Sequence, residues 1–292
     1  MEFAAVRRKI NLLPYFLILP AFVLILVFKA YPIISTVIDG FRNRGAWTLS
    51  VYRRVFTDSA FWNALWITIK INLLMIPFQV FVSFLLALLV NVMVKGIGIF
   101  RTIYYLPVTI SLTVAAILWN MMFSPNSGII NSLLGVLHIP PQGFLIDKNQ
   151  ALLSIVVIAS WKGCGYWMMF LLAGLKNIDS SIYESARIDG ANFVKIIVRI
   201  TVPMIRKVLL FVFVANTTAN VLLFVPMQMI TMGGPEGSTN VLMYEAYKSA
   251  FKFADRPRSA VMVTVLLLII VIVCVGQFKL LNEKDDAATG RL

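Results

Sequence analysis

The residues best placed to do chemistry are the charged groups between positions 176 and 207, which separate two long apolar runs. Glu184 and Asp189 are potential acid–base groups, but an enzyme would need a nucleophile or a second catalytic group beside them, and none is evident. So many charges need water, so the segment is expected to lie outside the membrane, within reach of a soluble partner. We therefore expect binding and no catalytic residue here.

This charged segment is predicted to form two short helices joined at a glycine. Ser181 and Glu184 have the spacing of a capping box, in which the Ser181 side chain bonds the Glu184 amide and the Glu184 carboxylate returns to the Ser181 amide. Gly190 can end the first helix because glycine adopts positive φ at little cost. The second helical run has Asn192 as its cap and is predicted to stop ahead of Pro203.

The spacing of this segment resembles the EAA loop found in permease subunits of binding-protein-dependent ABC importers. That loop reads E-A-A, three residues, G, nine residues and I-x-L-P, which matches Glu184, Ala186, Gly190, Ile200 and Pro203, with Ser185 and Val202 as mild departures. Segments 13–33 and 231–239 are similar to the carbohydrate branch of the same family. The resemblance therefore runs over nearly the whole chain.

The resemblance implies an all-α membrane protein with the six-helix fold of type I ABC importer permeases and a cytoplasmic coupling helix between spans four and five. The implied partners are a second homologous permease, two ATP-binding cassette ATPase subunits, an extracytoplasmic sugar-binding protein and membrane lipid. Apolar residues of the first short helix, Ile182, Tyr183 and Ala186, are expected to seat in a groove of the soluble subunit. The implied ATPase-coupling residues are Ser181, Glu184, Ala186, Arg187, Asp189, Gly190 and Pro203.

Several function classes are disfavoured by what the chain contains. No GxxxxGK[ST] loop occurs, so ATP and Mg are expected on a separate ATPase, and no cofactor is expected in this chain. Cys164 and Cys274 lie in apolar runs and the chain has one histidine, which supports neither a metal site nor a disulfide framework. The net charge of +13 is spread over loops, which favours membrane topology over nucleic-acid binding.

Amides in the apolar runs are the candidates for a substrate pathway. Asn216 and Asn220 are one helical turn apart and share a face. An amide inside a membrane needs a partner, so these residues either join helices or line a water-filled path, and both readings stay open. In the second reading amides recognise sugar hydroxyls and aromatic rings cover the apolar face of the sugar. The candidates are Asn216, Asn220, Trp161, Tyr166, Asn72 and Gln79.

Composition places the chain in the bilayer, since 60% of its residues are hydrophobic and 13% are charged. Six apolar runs are long enough to cross, within one permease domain spanning 1–292. Lysine and arginine lie somewhat more often in the loops on the side of the termini, which favours cytoplasmic termini in a bacterial inner membrane. The runs are 12–34, 71–94, 103–123, 151–175, 208–232 and 259–278, and the coupling loop is 176–207.

The sequence thus predicts half of the translocation pathway for a sugar or oligosaccharide, in an ATP-driven importer. The same importer carrying a sugar phosphate or a polyol is the alternative. An ion-coupled secondary transporter would need acidic residues within the spans to bind the coupling ion. None of the six runs contains Asp or Glu, which argues against that class.

Overall fold

A computed structural model of the protein describes residues 13–43, 45–92 and 94–288, most of which are helical. Two-residue strands β1 (Arg42–Asn43) and β2 (Ala46–Trp47) pair antiparallel after the first span. The helices are α1 (Leu13–Ile25), α2 (Tyr31–Gly40), α3 (Ser50–Phe56), α4 (Ser59–Val90), α5 (Ile97–Thr109), α6 (Leu112–Met122), α7 (Ile129–Val136), α8 (Ala151–Lys176), α9 (Ser180–Ile188), α10 (Phe193–Ile196), α11 (Val202–Met204), α12 (Arg206–Val221), α13 (Leu242–Tyr247) and α14 (Arg256–Ala288). Short π-helical turns occupy Leu26–Ala30, Ile197–Thr201, Met227–Thr231 and Lys248–Lys252.

Among the described residues, four helices are long and apolar enough to cross a membrane. They are Phe16–Gly40, Ser59–Val90, Ala151–Lys176 and Arg256–Lys279. The first is joined from α1 and α2 through a π-helical turn and extends beyond the predicted end at Ile34, while Leu12 lies outside the described residues. The helix predicted over 71–94 begins earlier, at Ser59, because Asp58 caps its first turn. It ends at Val90.

The third apolar run, 103–123, is two helices and not one. α5 and α6 are bent by 99° at Ile110 and Ser111, so they form either a broken span or a re-entrant loop. Ser111 begins α6 as its N-cap, with its hydroxyl accepting from the amide of Val114 at 3.2 Å. The run predicted as one span over 103–123 is therefore divided between two helices, because hydropathy detects the apolar halves and not the break between them.

The fifth run, 208–232, is also interrupted. α12 ends at Val221, and the chain then passes through 222–225 before the π-helical turn Met227–Thr231. Residues 222–224 are outside the helices, and the helical conformation resumes at Val225 and Pro226, where proline is tolerated in a first turn. The span predicted over 208–232 is therefore not one continuous helix.

Helix α8 is the centre of the bundle, with most of its length buried against α4, α5 and α12. Its glycines permit the close approach. A Cβ on Gly165 would lie 2.0 Å from the Tyr104 carbonyl oxygen, and a Cβ on Gly174 would lie 3.0 Å from the Val208 side chain. Small residues let helix backbones meet closely in a membrane, where the hydrophobic effect does not drive helices together.

An ion-pair network closes the end of the bundle near α13. The carboxylate of Glu245 is buried and contacts Lys248 Nζ at 2.6 Å and Arg258 Nη2 at 3.2 Å. It also accepts from Asn240 Nδ2 at 2.9 Å, and Arg258 bridges to Asp58 at 2.6 Å. A buried charge is tolerated when it is paired and hydrogen-bonded in this way. The network therefore joins α13 and α14 to the start of α4.

Candidate coupling helix and translocation cavity

The first short helix of the charged segment, α9, is capped by Asp179. Its Oδ1 accepts from the amide of Ser181 at 2.9 Å, and the helix begins at Ser180. The predicted cap at Ser181 is wrong. Asp179 offers a stronger, charged acceptor two residues earlier, so the helix starts nearer the N-terminus than predicted. Hydrogen bonds from Ser181 lower the pKa of the Asp179 carboxyl, as expected when they stabilise the ionised form.

The far end of α9 is closed by the glycine that the sequence predicted. Gly190 has φ of +74°, and its amide donates to the Arg187 carbonyl at 3.0 Å. The amide of Ala191 donates to the Ala186 carbonyl at 2.9 Å. These two bonds form a Schellman motif, which satisfies helix-end carbonyls and requires a left-handed residue at this position. Asp189 is the exposed residue just before the turn.

The second helix begins at the predicted cap and ends later than predicted. Asn192 Oδ1 accepts from the Lys195 amide at 2.9 Å, which confirms Asn192 as the cap of α10. The helix does not stop ahead of Pro203, because the π-helical turn Ile197–Thr201 leads directly into α11. Proline is tolerated in the first turn after this change of pitch, since an amide there has no intrahelical partner to lose. Pro203 itself is exposed.

The apolar side of α9 faces its own chain. Ala186 is buried, and the half-buried Tyr183 places its hydroxyl 3.3 Å from Thr201 Oγ1. Ile182 is also half-buried. Ala186 is therefore already buried within this chain, while Ile182 and Tyr183 remain partly exposed. Their seating in a partner's groove stays a prediction.

The exposed part of this elbow has a different composition. Glu184 and Ser181 are exposed on α9, and large apolar residues surround the glycine turn, with Ile188 87% exposed and Phe193 72% exposed. Arg187 lies on the opposite edge, where it lines a groove of about 760 Å³ together with Lys176 and Arg101. A partner would thus meet an apolar tip with a basic groove on one side.

Three of the four predicted pathway amides, Gln79, Asn216 and Asn220, are brought together in one cavity wall. Asn220 Nδ2 donates to Gln79 Oε1 at 2.9 Å and to Asn216 Oδ1 at 2.6 Å, which joins α12 to α4. Gln79 and Asn216 are each 1% exposed. Within the described part of the chain, Asn216 Nδ2 is buried without a hydrogen-bond partner. The amides therefore connect α12 to α4, as the first of the two readings predicted, and leave one donor unpaired. Their use in a solute pathway stays a prediction.

The cavity beside these amides has a volume of about 370 Å³. α8 contributes Tyr166, Trp167 and Lys162 to its lining, and the break between α5 and α6 contributes Val108 and Leu112. Tyr166 is thus found with the amides, as predicted. Trp167, the next residue in the sequence, is a second aromatic residue in the lining.

Two predicted pathway residues lie elsewhere. Trp161 packs edge-to-face against Trp119, with ring centroids 5.7 Å apart, and is not among the residues that line the amide cavity. Asn72 lines a separate, mostly apolar groove with Thr217 and Gln277, and its Nδ2 donates to the Thr68 carbonyl at 2.8 Å. Asn72 and Gln79 share a face of α4 but lie two turns apart, about 10 Å along the helix, so they line different cavities.

The described residues contain no group of three or more His, Cys, Asp or Glu arranged to hold a metal ion.

Residues 68–284 match the family described as the inner membrane component of binding-protein-dependent transport systems. The chain belongs to this family. The permease is 33% identical to the lactose transport system permease protein LacF of Rhizobium radiobacter, over 94% of this chain and 95% of that protein.

Two further likenesses cover most of the permease. It is 30% identical to the sn-glycerol-3-phosphate transport system permease protein UgpA of Pectobacterium atrosepticum, over 93% of this chain and 95% of the relative. The crystal structure of a bacterial ABC transporter involved in importing the acidic polysaccharide alginate contains a chain that superposes with a TM-score of 0.83 at 21% identity. That match covers 93% of this chain and 95% of the other, and it shows the shared fold.

Proposed function

We propose that this permease forms half of the pathway of an ATP-driven importer for a neutral sugar or oligosaccharide. A second permease would supply the other half, and two ATPase subunits and an extracytoplasmic binding protein would complete the importer. The relative named for lactose transport supports this solute class, whereas the relative named for sn-glycerol 3-phosphate transport corresponds to the alternative of a sugar phosphate or polyol. The observation that carries the proposal is the amide wall of Gln79, Asn220 and Asn216 beside an aromatic-lined cavity.

The amide wall has the chemistry that sugar hydroxyls need. Asn220 satisfies the acceptor oxygens of Gln79 and Asn216, so Asn216 Nδ2 remains as a donor for a solute oxygen. An unused buried donor is unfavourable unless something pairs with it. Tyr166 and Trp167 add rings in the same cavity, and such rings can cover the apolar face of a sugar.

A neutral solute fits the cavity better than a phosphate. Lys162 is the one charged residue among those that line it. Its ammonium donates to three backbone carbonyls, which uses all three of its N–H groups. Phosphate recognition usually employs cationic donors that are free to bind the anion.

The elbow around Gly190 is the proposed contact with the ATPase. α9 is held rigidly at both ends, by Asp179 and by the Schellman turn, and its tip exposes Ile188 and Phe193. An apolar tip on a short rigid helix fits a hydrophobic groove in a soluble protein. Because α8 leads into the elbow and α12 leads out of it, displacement of the tip would act on two cavity-lining helices.

The proposal is tested by Asn216→Leu in the complete importer, reconstituted in liposomes and supplied with its binding protein. We expect import of radiolabelled sugar to fall by about tenfold, since a site built to bond a hydroxyl loses that donor. Asn72→Leu is the matched control, because it makes the same change in a residue that lines the other groove.

The assay also requires that both variants assemble to the wild-type level in detergent. If Asn216→Leu imports sugar as fast as Asn72→Leu does, the amide wall joins helices and does not contact solute. If the wild-type complex hydrolyses ATP but imports no sugar when it is offered a panel of mono- and oligosaccharides, the solute class is wrong.

A further inference from the structure

The ammonium group of Lys162 occupies a special place in the bundle. It sits half-buried on α8 and donates to the carbonyl oxygens of Val108 at 3.0 Å and Pro107 at 3.4 Å, and also to that of Ile110. These three oxygens lie at the break between α5 and α6. The side chain therefore reaches from one helix to the open end of another.

The oxygens that Lys162 contacts are ones that a broken helix leaves without partners. The last four carbonyls of an α-helix have no intrahelical donor, and α5 ends at Thr109. Unpaired carbonyls are strongly unfavourable in an apolar medium. A cation at a helix C-terminus is also favoured by the helix dipole. Lys162 thus donates hydrogen bonds to carbonyl oxygens at the end of α5 that receive none from the neighbouring turn of the chain.

A second contact joins the same two helices close to Lys162. Gly165 lies one turn along α8, where the Tyr104 backbone approaches so closely that a Cβ would be 2.0 Å from its carbonyl oxygen. Close packing at Gly165 fixes the distance between α5 and α8. The three hydrogen bonds of Lys162 fix the position of the break relative to α8. α5 and α8 are therefore held at two neighbouring points.

The break that Lys162 holds is also part of the cavity wall. Val108, Leu112 and Lys162 line the same cavity as the amides. The other end of α8 is only three residues from the start of α9, at Ser180. One helix therefore connects the elbow to the wall formed by the broken pair.

From this geometry we infer that Lys162 is a positioning residue, which makes the α5–α6 break follow α8 when the elbow moves. This inference rests on the proposed coupling of the elbow to an ATPase. With Lys162 in place, α8 and the break move as one body and the cavity changes shape with each ATP cycle. Without it, ATP hydrolysis continues while this part of the wall fails to follow.

The test compares Lys162→Met, Lys162→Arg and Lys70→Met in the complete reconstituted importer. Lys70 is exposed on α4, so its replacement controls for removal of a lysine from a membrane helix. We expect Lys162→Met to lower the amount of solute imported per ATP hydrolysed by about tenfold, in the range of substitutions that disturb coupling networks. Lys162→Arg, which keeps charge and donors, should recover most of that ratio, and Lys70→Met should leave it unchanged.

A second measurement follows the accessibility of the cavity wall at Leu112 and needs no solute. Leu112→Cys is placed in a background without Cys164 and Cys274, and its reaction rate with a water-soluble thiol reagent is compared between nucleotide-free and ATP-trapped complexes. With Lys162 present the rate should change several-fold between the two states, and with Lys162→Met it should not. If the Leu112→Cys rate changes equally in both backgrounds, the inference is overturned even when sugar import is normal.

Two other outcomes are decisive. If the wild-type importer imports no sugar but the labelling result holds, the solute proposal fails and the role of Lys162 stands. If Lys162→Met and the milder Lys162→Gln both fail to assemble, Lys162 is needed for folding alone and the positioning role is refuted. A parallel loss of hydrolysis and import in both assembled variants would refute it as well, since positioning predicts that only their ratio changes.

Discussion

Gly165→Ala should separate two helices that the structure packs at backbone contact. The added Cβ would lie 2.0 Å from Tyr104 O, 2.9 Å from Tyr104 C and 3.2 Å from the Cα of Tyr105. All three atoms belong to the backbone of α5, so no side chain can rotate away. Since a real Cβ keeps at least 3.0 Å from such atoms, α5 and α8 must move apart by roughly 1 Å. Overpacking of this kind destabilises by about 1–3 kcal/mol.

The matched control is Gly276→Ala on α14, where an added Cβ meets nothing within 4 Å. Alanine is favoured over glycine inside a helix by about 1 kcal/mol, so this control should be neutral or stabilising. The assay is the thermal midpoint of the detergent-purified importer, followed by the loss of the monodisperse peak in size-exclusion chromatography. We expect Gly165→Ala to lower the midpoint and Gly276→Ala to leave or raise it. Equal midpoints for both variants would refute the close contact between α5 and α8.

Three pairs of substitutions test the capped helix and the ion-pair network. Glu245→Gln should destabilise the importer by about 2 kcal/mol in thermal unfolding, because it removes the buried carboxylate that pairs with the half-buried Lys248 and Arg258. Glu236→Gln, in an exposed pair with Lys148, should change stability by less than about 1 kcal/mol. Gly190→Ala should weaken the elbow by about 1 kcal/mol and lower transport-coupled ATP hydrolysis, whereas Gly190→Asn, which tolerates positive φ, should do so less. Asp179→Ala should lower coupled hydrolysis more than Asp179→Asn, since asparagine also caps. Because the pKa of Asp179 is lowered, its ionised cap stabilises α9 above the ordinary carboxyl pKa and is lost as the pH falls through the lowered value. Coupled hydrolysis in both Asp179 variants should therefore lack any acid-side decline that belongs to this group.

Local sequence predicted the local features of the elbow well. Gly190 and Asn192 were identified from the need for positive φ and for a capping oxygen, and both act as predicted. The start of α9 was placed wrongly because Asp179 and Ser181 can both cap. Only the position of the preceding helix end decides between them, and the packing of α8 fixes that position.

Features that depend on tertiary contacts were visible only in part. The amides Asn216 and Asn220 were predicted to need partners, and the structure supplies Gln79 from a helix more than a hundred residues away. The bend at Ile110 carried weak signals, a proline and a serine, inside a run of unbroken hydropathy. Lys162 is an ionisable residue within the apolar run 151–175, but the carbonyls that it bonds come from another helix and could not be read from that run.

The contact between Gly174 and Val208 joins α8 and α12, the two helices on either side of the coupling loop, and limits how they can move relative to each other. These residues lie just before and just after the coupling loop, and a Cβ on Gly174 would be 3.0 to 3.2 Å from the Val208 side chain. Because α8 and α12 touch there, a force on the tip acts on both helices together. Under the proposed coupling, α8 would move the α5–α6 pair through Lys162, and α12 would move Asn216 and Asn220. The link from this moving unit to α4 is the bond from Asn220 to Gln79, so a change in cavity shape that leaves α4 in place has to break or redirect that bond.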